Sequence, residues 1–529
     1  MRIKPGTAWR DAYERCCSAA PEAFHDDRVL NHWGGIWHRD GRPVPGFSPL
    51  DGTAIAGLPR IDRAGAGRAV AGAVEEHRRW RHLPLAERKA MVSAAVESMA
   101  AHRDLLALLL VWEIGKPWKT ACADVDRCLD GVRWYVAEID RMVAGRMPLP
   151  GPVSNIASWN YPMSVLMHAM LVQALAGNAV IAKTPTDGGL CCLTLACALA
   201  VREGLPFTLV SGGGAELSPV LAGGRALGSV SFVGGRDAGA KVATSLADLG
   251  RRHVLEQEGL NCWGVWEYGD WELLTRQIRA SFDYGKQRCT AYPRFVVRRS
   301  LFHEFLGAYL AAVGSLRFGH PLAVADPGDP LPELDFGPLI NASKAKELAD
   351  QVDEAVARGG VPVHRASLDA GHFLPGQDIS AYLAPTALLN PPRSSPLFHA
   401  EPFGPVDTIV LVDTEAELLA AMNASNGALV ATLSCDEEET FHRLAPEVRA
   451  FKVGHNRPRS RGDREELFGG LGASWRGAFV GGELLVRAST VSSTGSSTGS
   501  SAGSSTASSI GGPDGERLPG NFPHYTLLP

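Results

Sequence analysis

Residues 229–239 read Ser-Val-Ser-Phe-Val-Gly-Gly-Arg-Asp-Ala-Gly, a short apolar run passing through a glycine pair toward a helical stretch. A strand, a glycine turn and a helix N-terminus together suit a phosphate, because free N–H groups and the helix dipole point at it. A glycine pair also marks ordinary βα turns, so the local sequence leaves both readings open. The chain has no G-x-G-x-x-G; Gly65-Ala66-Gly67 is half of one but lies inside a helical stretch.

The same texture extends outward. Val153–Ala157, Ala179–Ala182, Phe207–Val210 and Val254–Leu255 are further short apolar runs, separated by helical stretches and punctuated by Gly, Pro or Asn. This alternation predicts βαβ units and a parallel sheet covered on both faces. A second set, Arg294–Val297, Thr408–Val412, Leu429–Leu433 and Phe451–Val453, predicts a second α/β half, with the break near Glu256. The first 140 residues read mainly as helices, one opened by Pro84 with Val92, Val96 and Met99 on one face, another from about Thr120 to Met142. Residues 492–511 are five tetrapeptides of Ser, Thr, Gly and Ala with one Ile, predicted to be disordered. The closing residues Asn521–Pro529 read as a frayed tail.

Composition narrows the function class. The 529 residues are 45% hydrophobic and 21% charged, with 52 Lys plus Arg against 57 Asp plus Glu. That balance argues against nucleic-acid or membrane-surface partners, and ten cysteines are too sparse for a disulfide scaffold. The N-terminus lacks a signal-peptide pattern, and the longest apolar run, Leu105–Trp112, reads as a buried helix. A cytoplasmic enzyme with free thiols is the expectation.

Tyr284-Gly285-Lys286-Gln287-Arg288-Cys289-Thr290-Ala291 places one cysteine beside two basic residues, which predicts a lowered thiol pKa. The other nine cysteines read as inert; Cys191, Cys192 and Cys197 share an apolar helix without zinc spacing, and no metal is expected. Taken with Trp159-Asn160-Tyr161-Pro162, Gly177-Asn178, Lys183, Leu255-Glu256, Glu401-Pro402-Phe403-Gly404-Pro405-Val406 and Phe468-Gly469-Gly470, in that order, the chain resembles the NAD(P)-dependent aldehyde dehydrogenase superfamily from about Ser48 to Thr490.

The resemblance implies an aldehyde dehydrogenase-like α/β fold: an NAD(P)-binding domain of residues 1–142 and 158–255 and a catalytic domain of residues 256–474. It adds a β oligomerisation extension of residues 143–157 and 475–490, and leaves a disordered tail at 491–529. It implies Cys289 as nucleophile, Asn160 as oxyanion donor and Glu256 as the base that activates water. Without the family, Asn160 reads as a turn residue and Glu256 as a strand-end carboxylate in a surface ion pair. Lys183 and Glu401 match ligands of the two cofactor riboses; Trp159, Phe232, Gly234, Gly235 and Phe403 match the cofactor channel. Thr186 stands where NAD-preferring members often carry Glu, so NADP should be accepted alongside NAD or preferred, unless Asp187 restores the repulsion. A homodimer or homotetramer oxidising a small aldehyde to the acid is the expected enzyme. A CoA-acylating dehydrogenase, disfavoured by Glu256, and a catalytically silent homologue are the alternatives. Gln287-Arg288-Cys289 also resembles the non-phosphorylating glyceraldehyde-3-phosphate dehydrogenases, which would make Arg288, Arg457 or Arg459 partners of an anionic aldehyde. The chain departs from the family at Gln257-Glu258-Gly259-Leu260, at Lys286 where glycine is usual, at Gly235 where Ser or Thr is usual, and at Leu471-Gly472-Ala473-Ser474, which lacks a common lysine.

Overall fold

The computed structural model describes residues 1–247, 251–493 and 518–521; from Thr494 on, the Ser-rich repeat lies outside them. Two sheets organise the chain. The first has nine strands in the order 520–521, 475–478, 252–257, 229–234, 153–156, 180–183, 207–210, 31–33 and 36–38. Its five central strands are parallel, with Val153 in register with both Val180 and Ser229, and Phe232 with Leu255. The second has seven strands, in the order 361–365, 386–389, 406–412, 294–298, 262–265, 428–434 and 450–455, parallel except at the first pair.

Every strand predicted from the apolar runs is present. The inner ones, such as Val180–Lys183, Phe207–Val210 and Ala428–Ser434, are buried on both faces and show no alternating pattern. The helix Arg63–Trp80 packs on the first sheet, while Leu85–Ala101, Arg103–Ile114 and Trp118–Met142 pack against one another and against the helices His168–Leu175 and Leu190–Arg202. Asp62 caps the first of them, accepting from Gly65 N at 2.7 Å. The third is buried from Leu105 through Ile114, as a helix apolar all round must be, and ends on Gly115 at φ +70°. Among the described residues no helix is long and apolar enough to cross a membrane.

The secondary structure corrects the expected outline at several places. Residues 24–60 are mostly short strands, not helix. Val153–Ile156 is a central strand of the first sheet, so the β extension does not include it. Trp475–Ala478 also belongs to that sheet, antiparallel to Arg252–Gln257, and Glu483–Ala488 is a helix. What remains of the extension is an antiparallel ribbon of Arg146–Pro148 with Thr490–Ser492, so residues 491 and 492 pair rather than begin a disordered tail. Near the C-terminus, Gly520–Asn521 pairs with Gly477–Ala478 instead of fraying, held by Asn521 Nδ2 donating to Trp475 O at 2.6 Å and Gly472 O at 2.9 Å. The break between the halves falls between Gln257 and Cys262, so Glu256 still belongs to the first sheet.

Candidate active site

The loop that carries Cys289 begins in a left-handed turn. Tyr284, Gly285 and Lys286 have φ of 58°, 60° and 59°, a region that costs about 1 kcal/mol or more for each residue with a Cβ. Tertiary contacts hold it: Tyr284 N donates to Asp335 O at 2.9 Å and its hydroxyl to Ile114 O at 2.8 Å. Beyond the turn, Asn261 Nδ2 donates to Cys289 O at 2.8 Å and Ala291 O at 2.7 Å, while its Oδ1 accepts from Leu429 N and Val430 N. This fully buried asparagine ties the cysteine's backbone to the second sheet. The sequence reading missed it, although a polar residue directly before an apolar strand was a usable signal.

Asn160 is buried, accepts from Ser158 Oγ at 2.9 Å and donates through Nδ2 to Gln287 O at 3.1 Å. A carbonyl only accepts, so the NH₂ end must face the Cys289 loop, and its second N–H remains available. Glu256 lies on the strand Arg252–Gln257 between Val233 and Trp475 and is 2% exposed. Its Oε2 has no hydrogen-bond partner among the described residues, and Arg461 Nη2 lies 3.8 Å away. Glu256 and Cys289 line one cavity of about 710 Å³, with Tyr135, Tyr161, His168 and Arg461 on its walls.

The cations beside Cys289 do not lower its pKa. Lys286 pairs with Asp407, and Arg288 turns to Asp283 Oδ2 at 3.4 Å and Ser281 O at 3.2 Å. Burial and then the facing Glu256 carboxylate push the thiol well above its ordinary value, with Arg461 opposing them. The free enzyme therefore holds a protonated thiol. Its alkylation by iodoacetamide should rise about tenfold per pH unit from roughly pH 6 to 8.5 without a plateau. A plateau below neutrality would contradict this charge balance.

The cofactor candidates form two groups. Trp159 and Phe403 meet edge to face at 5.8 Å, with Glu401 two residues from Phe403. Both Glu401 oxygens are buried without a partner, and burial, then Glu258, push that carboxyl well above its ordinary range. Two orphaned acceptors beside an aromatic pair fit a ribose diol under a nicotinamide ring. At the other end Lys183, Thr186 and Asp187 follow the strand Val180–Lys183; Thr186 and Asp187 are exposed. Lys183 Nζ donates to Thr184 O at 2.8 Å, and burial together with the charge of Arg60 pushes its pKa down to about 8. Gly235 precedes the helix Arg236–Ala247, and a Cβ there would come within 3.4 Å of Glu258 Oε2. Phe232 is buried at 4% exposure, and its ring packs under Gly234, where a Cβ would meet it at 2.8 Å. It shapes the turn from behind.

Of the arginines considered for an anionic aldehyde, Arg457 and Arg459 do not line the cavity; Arg459 is engaged by Glu466. Arg461 and Arg464, which the sequence reading passed over, do line it. His168 faces them, and burial followed by their charges pushes its pKa down to about 3, so its imidazole is neutral.

The model of the aldehyde dehydrogenase family matches residues 37–493. The 3,6-anhydro-α-L-galactose dehydrogenase of Vibrio sp. (strain EJY3) is 26% identical over 431 residues, covering 78% of this chain and 87% of the relative. Two solved structures share the fold: the NADP-dependent glyceraldehyde-3-phosphate dehydrogenase of Bacillus halodurans C-125 complexed with NADP, and the betaine aldehyde dehydrogenase of Staphylococcus aureus in complex with NAD+. The first has a TM-score of 0.78 at 23% identity, covering 88% of this chain and 98% of the other. The second has a TM-score of 0.78 at 22% identity, covering 91% and 98%. With a family model spanning both sheets and every motif of the cavity, the chain belongs to the aldehyde dehydrogenase family, NAD(P)-dependent oxidoreductases.

Proposed function

We propose that the protein oxidises a polar aldehyde to its carboxylic acid through a covalent intermediate on Cys289. The observation that carries this is the shared cavity wall of Cys289 and Glu256, with Asn160 tied to the carbonyl two residues before the cysteine. Cys289 gives its proton to solvent and attacks the aldehyde carbon as the thiolate, while Glu256 keeps an unpartnered oxygen for the later water. The oxyanion that forms is held by the free Asn160 N–H and the Cys289 backbone N–H. Bound NAD(P)+ would supply the hydride acceptor; Glu401 would hold its ribose, and Trp159 and Phe403 would line its channel. The thioester left on Cys289 is hydrolysed by water that loses its proton to Glu256, which returns the thiol and releases the acid.

The polar wall of Tyr135, His168, Arg461 and Arg464 favours hydroxylated or anionic aldehydes over long aliphatic ones. The Vibrio relative is named for a hydroxylated sugar, which supports the same class. A panel of aldehydes with both cofactors tests the reading, scoring reduced nicotinamide and the free acid. Turnover independent of added CoA is expected; no turnover with any aldehyde overturns it.

For the cofactor, NADP is the preferred partner in our reading. Ile61 N donates to Ser211 O at 2.9 Å and Thr184 N to Val210 O at 2.8 Å, which sets Arg60 and Lys183 at neighbouring strand ends beside neutral Thr186. A 2′-phosphate would meet two cations there. Arg60→Ala should weaken NADPH about tenfold and leave NADH within about twofold, measured by fluorescence titration. Equal losses for both cofactors would contradict the assignment. Pairing of subunits through the ribbon Arg146–Pro148 and Thr490–Ser492 is the proposed route to a homodimer or homotetramer.

A further inference from the structure

Lys286 stands where the family usually has glycine, in the backbone region that favours glycine, at φ +59°. Yet its side chain is 1% exposed and fully partnered. Nζ donates to both Asp407 oxygens at 2.6 and 2.7 Å and to Tyr292 O at 3.0 Å, which uses all three ammonium hydrogens. Tyr309 OH donates to Asp407 Oδ2 at 2.9 Å. The rings of Phe282 and Phe295 lie 4.1 and 5.2 Å from the ammonium. Asp407 itself is fixed on the strand Val406–Val412, in register with Ala387 inside the seven-stranded sheet.

A buried ion pair is a poor stabiliser, since well-packed apolar side chains of the same volume often serve as well or better. This pair also sits on a backbone conformation that a lysine enters at a cost. Its position is what distinguishes it. The next residue, Gln287, presents the carbonyl that receives Asn160, and Cys289 follows two residues later.

We propose that the Lys286–Asp407 pair is the anchor of the nucleophile loop, and that Lys286 is a positioning residue setting Cys289 and the Gln287 carbonyl against Asn160. The second sheet, through Asp407, thereby fixes a left-handed turn whose exit direction aims the sulfur. This rests on Cys289 being the nucleophile.

The test measures single-turnover acylation (the first burst of NADPH), steady-state kcat and KM, NADPH affinity and thermal midpoint on the full-length enzyme. Lys286→Met should slow acylation by about tenfold or more with KM and NADPH affinity little changed, since small misplacements of a reacting atom carry penalties of that order. Because that variant strands a buried carboxylate and its folding is at risk, two others decide the matter. Asp407→Glu keeps both charges but displaces the ammonium by a methylene, and should slow acylation at least about fivefold. Lys286→Gly combined with Asp407→Leu removes both the strain and the charges. It should recover the thermal midpoint while acylation stays at least about fivefold slow. Acylation within about twofold of the parent enzyme in either folded variant overturns the proposal and leaves a purely structural pair. Turnover that survives at the parent's rate in Cys289→Ala instead overturns the assignment of Cys289, and the anchor with it.

Discussion

Cys289→Ala is expected to lower kcat/KM for every aldehyde by on the order of 10⁴-fold or more, with NADPH affinity within about twofold of the parent enzyme. The two halves of this result have separate physical origins. Only sulfur can form the thioester, and Cys289 is the one cysteine among the cavity's lining residues. Glu401, Trp159 and Lys183 come from other segments and should hold the cofactor unchanged. Alanine removes one atom from a half-buried position, and Asn261 continues to pin the backbone through Cys289 O and Ala291 O. The fold should therefore survive, which a circular dichroism spectrum and a cofactor titration would verify. Residual activity above about one per cent would transfer the nucleophile's role elsewhere.

Glu256→Gln should give a different signature: one NADPH per active site released in a burst, then steady-state turnover slower by about 10²- to 10⁴-fold. Glutamine keeps the volume at a site that is 2% exposed, so packing between the strands of Phe232 and Trp475 is preserved. What disappears is the acceptor for the proton of water, and the thioester accumulates. A second change has the opposite sign. The Glu256 carboxylate is, after burial, the largest influence raising the Cys289 thiol, so removing its charge lowers that pKa and makes more thiolate at neutral pH. Iodoacetamide should therefore label the variant faster than the parent while turnover is slower. Rapid-quench mass spectrometry of the acylated peptide, together with the labelling rate, separates these effects. Unchanged steady-state turnover would mean that another group activates the water.

The strands around the cavity were legible because burial on both faces favours short, mostly apolar segments without a strict alternation: Val180–Lys183 and Phe207–Val210 carry one polar residue each, and Val153–Ile156 was readable even with Ser154 and Asn155 inside it. Cys262–Val265 escaped notice because Cys-Trp-Gly-Val has a gap at Gly264, where a Cβ would meet Leu433 and Met422 at 2.8 Å. Glu483–Ala488 was assigned to the β extension, yet Glu-Leu-Leu-Val-Arg-Ala folds as a helix, and nothing local separates the two for six residues. The positions of Cys289, Glu256 and Asn160 came from motif order. The electrostatics around them did not, because adjacency in sequence says nothing about direction. Lys286 and Arg288 flank the cysteine on paper, but the left-handed turn sends one ammonium inward to Asp407, and Asp283 draws the guanidinium away. Arg461, 172 residues downstream of Cys289, is the cation whose field reaches the thiol, and only tertiary structure could reveal it.

The strand Gly520–Asn521 has a bearing on how copies of this chain can meet. An open sheet flank is an invitation to a neighbour's backbone. Here the flank beside Trp475–Ala478 is already taken by the chain itself, with Leu518 tucked beneath it and Phe479 N bonded to Pro519 O at 2.9 Å. Protein engineers who trim the serine repeat together with everything after it would uncover that flank on the strand next to that of Glu256. Such a shortened enzyme invites clumping on storage, a fault of colloidal behaviour rather than of chemistry.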